Sequence, residues 1–177
     1  ENKEMKKYIE DVRLPFLKEL TRPIATTEQT LFRRGNFNGS WDQIICDALL
    51  EVKEAQISLS PGFRWGTSVM PGQAITFDDL MSQTAMTYPE TYARDMSGKD
   101  IKDILEDVAD NLFNEDPFYQ QGGDMVRTGG ISYRIDPKAK MGERVTDIVL
   151  TKTGKKIDAS KSYKVAGWST VGAKSDG

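Results

Sequence analysis

Residues 120–130 read Gln120-Gln121-Gly122-Gly123-Asp124-Met125-Val126-Arg127-Thr128-Gly129-Gly130. Two glycine pairs flank an acid and an arginine. Paired glycines let backbone amides come close to a ligand and adopt positive φ. Arginine adds a planar, permanently charged fork that matches an oxyanion. The chemistry this predicts is capture of a small anion, with Gly122, Gly123, Asp124 and Arg127 as candidate substrate-binding residues. A turn-rich loop that merely leads into a strand has the same composition, and local chemistry alone favours that plainer reading.

Other chemistries are excluded by what the chain lacks. Its 177 residues contain no histidine. That removes Ser-His and Cys-His nucleophile pairs and any metal site that needs imidazole. The single cysteine, Cys46, has no disulfide partner within the chain and no neighbouring metal-ligand pattern. It lies in the apolar run Ile44-Ile45-Cys46, where a free cysteine usually acts as a small hydrophobe. No apolar run approaches the ~20 residues of a membrane span. The charged opening Glu1-Asn2-Lys3-Glu4 does not resemble a signal peptide.

The formal net charge is −3, which gives no push toward nucleic acid. The charge is nonetheless uneven. Residues 1–124 carry 13 basic and 22 acidic side chains, whereas residues 125–177 carry 11 and 5. A lysine-rich solvated surface accounts for this, and attraction of an acidic partner or anionic substrate is the sharper alternative.

The elements that must position these residues alternate between helices and strands. Met5, Tyr8, Ile9, Val12, Phe16 and Leu20 have helical spacing over residues 3–20, with a kink or restart expected at Pro15. Residues 24–32 read as extended, and Gly35 to Gly39 as a loop. Ser40 with Gln43 has a capping-box pattern, followed by a helix expected to bury Ile45, Ala48, Leu49 and Val52. Residues 55–59 form a short strand, broken at Ser60-Pro61-Gly62. Thr76 is expected to cap a short helix through Met81. Ser97 with Asp100 caps a stronger one, whose apolar face is Ile101, Ile104, Leu105, Val108 and Leu112. Three strands follow, at 131–135, 145–150 and 163–168, separated by turns at Asp136-Pro137 and Thr153-Gly154. No internal repeat is visible. This mixture predicts one α+β domain with a mixed β-sheet and packed helices.

The order of these segments resembles the C-terminal domain of the 5′-nucleotidase family. The matching pieces are Cys46-Asp47-Ala48-Leu49, Gly62-Phe63-Arg64, Gly72 to Asp79, Ser97-Gly98 with Leu105-Glu106, Gly142-Glu143-Arg144-Val145, Tyr163-Lys164-Val165 and Asp176-Gly177. Within that family the sequence is most similar to the SoxB-type thiosulfohydrolases of sulfur oxidation. The pieces that carry this are Arg34 to Gly39, Leu105 to Asn111, Asp116 to Arg127, and Ala166-Gly167-Trp168.

The resemblance implies a two-domain parent. Its N-terminal metallophosphatase domain would hold two manganese ions through His, Asp and Asn, and the present domain would cover that site and help bind substrate. The implied reaction is hydrolysis of a cysteine S-thiosulfonate on a SoxYZ-type carrier protein, with release of sulfate, in the periplasm. Residues 1–22 are then the inter-domain linker helix and 23–177 the substrate-covering domain. On this reading the metal domain is absent, the C-terminus is truncated and the isolated chain is inactive.

The resemblance also places Arg64 toward the substrate, although Pro61 stands where the family has a glycine. Stacking of Arg64 on Phe63 and Trp65 for packing weighs equally. Asp176 matches the family's Asp-Gly. Asp124 either orients Arg127 or caps a turn, the cap being the plainer role. Trp65, Tyr88, Tyr92 and Tyr119 are candidates to line a channel for the carrier's arm, or are ordinary core. Nucleotidases carry a base-stacking aromatic in the segment that here holds Gly122, Gly123 and Arg127, and no obvious counterpart stands there. A nucleotide-hydrolysing parent and a protein-binding module remain the alternatives.

Overall fold

The structure, a computed structural model, describes residues 2–33, 35–62, 66–84 and 90–168. Helix α1 spans Lys3–Arg13 and begins where the Asn2 side chain accepts the Met5 amide at 3.0 Å. Pro15 then forces the expected break, a 3-10 turn over Leu14–Phe16, before the short α2 over Leu17–Leu20. Met5, Tyr8, Ile9 and Val12 form an exposed apolar stripe on α1. An Arg13–Asp78 ion pair of 2.7 Å ties the end of this helix to the domain.

Strand β1 (Pro23–Thr26) pairs antiparallel with β3 (Ala74–Thr76). The extended stretch expected through residue 32 is a strand only in its first part, and Leu31 makes an isolated bridge to Val69. Thr76 caps α4 (Phe77–Thr84) as expected, with its hydroxyl accepting the Asp79 amide at 3.2 Å.

The sheet that organises the domain has strand order β4-β8-β2-β5. Strands β2 (Ile57–Ser60) and β8 (Ser162–Trp168) run parallel. Strands β4 (Thr91–Ser97) and β5 (Arg127–Gly129) run antiparallel to their neighbours, so the sheet is mixed. Strand β4 is not evident in the sequence. Its residues, Thr-Tyr-Ala-Arg-Asp-Met-Ser, are mostly exposed at the sheet edge and show no clean apolar alternation.

Alternation along β8 divides the core. Tyr163 and Val165 join Ile57 and Leu59 on one face, under Ile101, Leu105 and Ala109 of α5 (Gly98–Phe113) and the hairpin β6–β7 (Ile131–Ile135, Val145–Leu150). Ala166 and Trp168 face the opposite side and pack on Leu49 of α3 (Ser40–Val52). The result is an α+β domain with helices on both faces of a mixed sheet.

Helix α5 starts with the predicted capping box. Ser97 Oγ accepts the Asp100 amide at 3.0 Å, and Asp100 Oδ2 accepts the Ser97 amide at 3.3 Å. The start of α3 departs from expectation. Its N-cap is Gly39, and Ser40 is the first helical residue. The Ser40 hydroxyl reaches back instead, accepting the Phe32 amide at 3.0 Å and donating to Thr30 O at 2.8 Å. Gln43 bonds Asn38 and Asp47. The buried stripe of α3 is also rotated from the expected one. Trp41, Asp42, Cys46 and Leu49 are buried, whereas Ala48 and Val52 are exposed. A pattern of apolar residues cannot reveal that an aspartate faces inward.

Two of the resemblance motifs meet in a clamp. Glu106 on α5 is 4% exposed, and its carboxylate accepts the amides of Gly142 (2.9 Å), Arg144 (3.2 Å) and Val145 (2.7 Å). Lys102 Nζ donates to the same carboxylate at 2.9 Å and to the carbonyls of Gly142 and Val145. Arg144 pairs with Asp110 and donates to Phe113 O at 3.1 Å. The start of β7 is thereby fastened to α5.

Candidate functional site

The C-terminal ends of β2 and β8, the start of β5 and the first turn of α3 converge at one end of the sheet. Pairing of Ser60 with Arg127 fixes this, since it brings the turn after β2 beside the segment entering β5. The two glycine-bearing loops of the sequence therefore touch. A methyl group on Gly62 would lie 2.7 Å from Asp124 Cβ and 2.7 Å from the Met125 carbonyl oxygen. Only a residue without Cβ lets the backbones approach so closely.

Gly122 and Gly123 have φ of 77° and 97°, in the left-handed region, and both are exposed with open space on their Cα hydrogens. The Gly122 amide donates to Asn111 O at 3.0 Å, and the Met125 amide to Asn36 O at 2.9 Å. The loop is thus a held shape rather than a loose connection. It is anchored to the end of α5 on one side and to the 35–39 loop on the other.

Beneath the loops lies a buried ionic cluster centred on Asp42. Arg33 Nε donates to Asp42 Oδ1 at 2.9 Å, and Arg127 Nε donates to Asp42 Oδ2 at 3.1 Å. All three side chains have 0% exposure. The remaining donors spread outward to backbone. Arg33 reaches Gln83 O (2.8 Å) and Pro61 O (3.5 Å). Arg127 reaches Met125 O (3.3 Å) and Gly35 O (2.5 Å), and also Asp124 Oδ2 at 3.4 Å. The Arg33 guanidinium also lies 6.0 Å from the Trp168 ring centroid. Burial pushes the Asp42 carboxyl above its ordinary value, and the two guanidiniums only partly offset it. An arginine stripped of water is tolerable only with this degree of pairing.

The six candidate residues fall in different situations. Gly122 and Gly123 are on the surface of the loop. Asp124 and Arg127 lie just below it, with Arg127 turned inward toward Asp42. Arg64 and Asp176 lie outside the described residues, as do Trp65 and Tyr88. Of the other proposed channel aromatics, Tyr92 is half-buried beside Arg94 and Tyr119 is exposed.

Sequence reasoning missed Arg33 and Asp42, the latter being the carboxylate that Arg33 shares with Arg127, 85 positions away from it. It also missed the exposed Phe118 and the half-exposed Phe37, which stacks on Phe113 with centroids 6.4 Å apart.

Cys46 is buried, and burial pushes its thiol up to about 12, so it is no nucleophile at neutral pH. Among the described residues no group of three or more His, Cys, Asp or Glu is placed to hold a metal ion. No described helix is long and apolar enough to cross a membrane.

With this geometry in hand, comparison with known proteins gives a consistent class. The sequence profile of the 5′-nucleotidase C-terminal domain matches residues 23–177, and the chain belongs to that family. Among solved structures, it is similar to the sulfate thiohydrolase SoxB of Thermus thermophilus, solved with glycerol. The two share 38% identity and a TM-score of 0.87, over 93% of this chain and 30% of that one. A 5′-nucleotidase precursor from Thermus thermophilus matches at 20% identity and TM-score 0.73, over 92% of this chain and 32% of that one. The NAD nucleotidase NadN of Haemophilus influenzae matches at 18% and 0.70, over 95% and 32%. The last two show the fold alone. Among curated proteins there is no match. The chain spans 30% to 32% of the length of these three structures, all of which are hydrolases by name.

Proposed function

We propose that this chain is the substrate-covering domain of a periplasmic thiosulfohydrolase, acting on a cysteine S-thiosulfonate borne by a SoxYZ-type carrier protein and releasing sulfate. The observation that carries this is the 38% identity with a sulfate thiohydrolase over 93% of the chain, against 18% to 20% with the two nucleotidases. The substrate-facing end is the loop surface of Gly122 and Gly123; Arg64 and Asp176, outside the described residues, are proposed to bind substrate on the resemblance alone. Asp124 and Arg127 serve that surface from beneath. Residues 1–22, which precede the family match, act as the linker to the catalytic domain.

The two manganese ions implied by the family do not fit this chain. It has no histidine, and its described residues offer no ligand cluster. Such ions belong to a separate metallophosphatase domain, and the chain by itself carries out no hydrolysis. Its own work is to bind and orient an anionic group. Exposed left-handed glycines suit close backbone approach to such a group.

A second reading, a nucleotide hydrolase, draws on the exposed Phe118 and half-exposed Phe37, which offer flat apolar faces to a base. The deciding experiment assays the two-domain protein against a thiosulfonated carrier and against AMP. Sulfate release with little phosphate release is the expected result. Preferential hydrolysis of AMP would sink the thiosulfohydrolase reading.

A further inference from the structure

We propose that Asp42 is a positioning residue that sets the mutual placement of the loops forming the substrate end. This rests on the reading that the Gly122–Gly123 end of the domain faces substrate. Asp42 stands in the first turn of α3, a helix packed on the sheet through Leu49 and Trp168. Its two carboxylate oxygens are divided, Oδ1 to Arg33 and Oδ2 to Arg127. Each arginine then holds carbonyls from separate parts of the chain. Arg33 takes Pro61 and Gln83, and Arg127 takes Gly35 and Met125.

Four segments that are distant in sequence are thus referenced to one carboxylate on a rigid element. Two of them, at Pro61 and Met125, adjoin the close contact of Gly62 with Asp124. The cluster has no exposed side chain, so it cannot itself take a ligand. Its effect on binding passes through the backbone of the loops.

Replacement by asparagine preserves volume but not function. An amide has one accepting oxygen and one donating nitrogen, so one guanidinium would face a donor. The arginine that loses its partner stops fixing its carbonyls, and the loops it holds open locally.

The test follows amide hydrogen exchange in this chain, comparing wild type with Asp42→Asn. The readouts are the Gly122 and Met125 amides, which bond Asn111 and Asn36, and the fully buried Leu105 in α5 as control. Expected is exchange faster by about tenfold or more at residues 122 and 125, with Leu105 nearly unchanged. Equal acceleration at all three, or none at residues 122 and 125, overturns the proposal. If Asp42→Asn does not fold, Arg127→Lys replaces it with the same expectation, and failure of both variants to fold also overturns it. In the two-domain protein, Asp42→Asn should raise KM for the thiosulfonated carrier by about tenfold with kcat little changed. A loss confined to kcat counts against the proposal. If the wild type does not hydrolyse thiosulfonate, the functional reading fails, and the exchange data still decide the role of Asp42.

Discussion

Removal of the Glu106 carboxylate tests whether the resemblance motifs around it exist for structure. Glu106 accepts three backbone amides and the Lys102 ammonium, all within 3.2 Å, and is almost wholly buried. Hydrogen bonds to a charged group contribute about 1.5–3 kcal/mol each when one partner is deleted, but bonds sharing one acceptor do not add. Deleting one partner of a buried charged cluster costs about 3–5 kcal/mol. Glu106→Ala should therefore lose about 3–5 kcal/mol, a large part of the ~5–15 kcal/mol typical of a domain. Glu106→Gln retains one accepting oxygen and should lose about 1–3 kcal/mol.

The same carboxylate predicts a pH dependence. Burial raises its pKa, but the Val145 amide, the Lys102 ammonium and the Gly142 amide outweigh burial and hold it below its ordinary 4.5. Its stabilisation is therefore fully present above pH 4.5. It fades as pH falls from there through the lowered folded value. Urea unfolding at several pH values measures both effects, and exchange of the Val145 amide reports the clamp directly. The reasoning is refuted if Glu106→Ala changes stability by less than about 1 kcal/mol at unchanged m-value. It is also refuted if Glu106→Gln leaves the acid-side slope of wild type intact.

Two further outcomes follow from close packing and burial. Gly62→Ala should destabilise by about 1–3 kcal/mol, because its methyl group meets the Met125 carbonyl and Asp124. Thermal unfolding measures this, and a neutral result would show that the two loops are not in contact. Cys46, with its thiol pushed to about 12, should resist alkylation at neutral pH in the folded chain and react readily in denaturant. Rapid labelling of native protein, followed by mass spectrometry, would contradict the buried placement.

Local physics made much of the fold legible in the sequence. Pro15 cannot continue a helix, and the 3-10 turn falls there. Ser97 and Asp100 satisfy each other's amides within one turn, so their capping box needs no distant partner. The spacing of Ile101, Leu105 and Val108 places one face of α5 on the core without reference to what covers it. The strands at 131–135, 145–150 and 163–168 were equally readable from alternation and turns. The glycine pair at 122–123 marked a loop, although the stretch read as one loop through Gly130 holds strand β5 at Arg127–Gly129. Ordered motifs along the chain marked the family that the profile then matched.

What only tertiary structure decided is the set of pairings between residues far apart in the chain. Ser40 has every local feature of a cap, yet its hydroxyl serves Thr30 and Phe32, because the chain folds back beside it. Edge strand β4 lacks an apolar alternation and becomes a strand through its seven-residue register with β8. Arg127 reads in sequence as a surface fork for an anion. In the fold its guanidinium meets Asp42, Gly35 and Met125. The sign and spacing of charges along a sequence show which residues can pair. Whether a charge faces water or a buried partner depends on which backbone segments the sheet brings together, and that is settled only when the whole core closes.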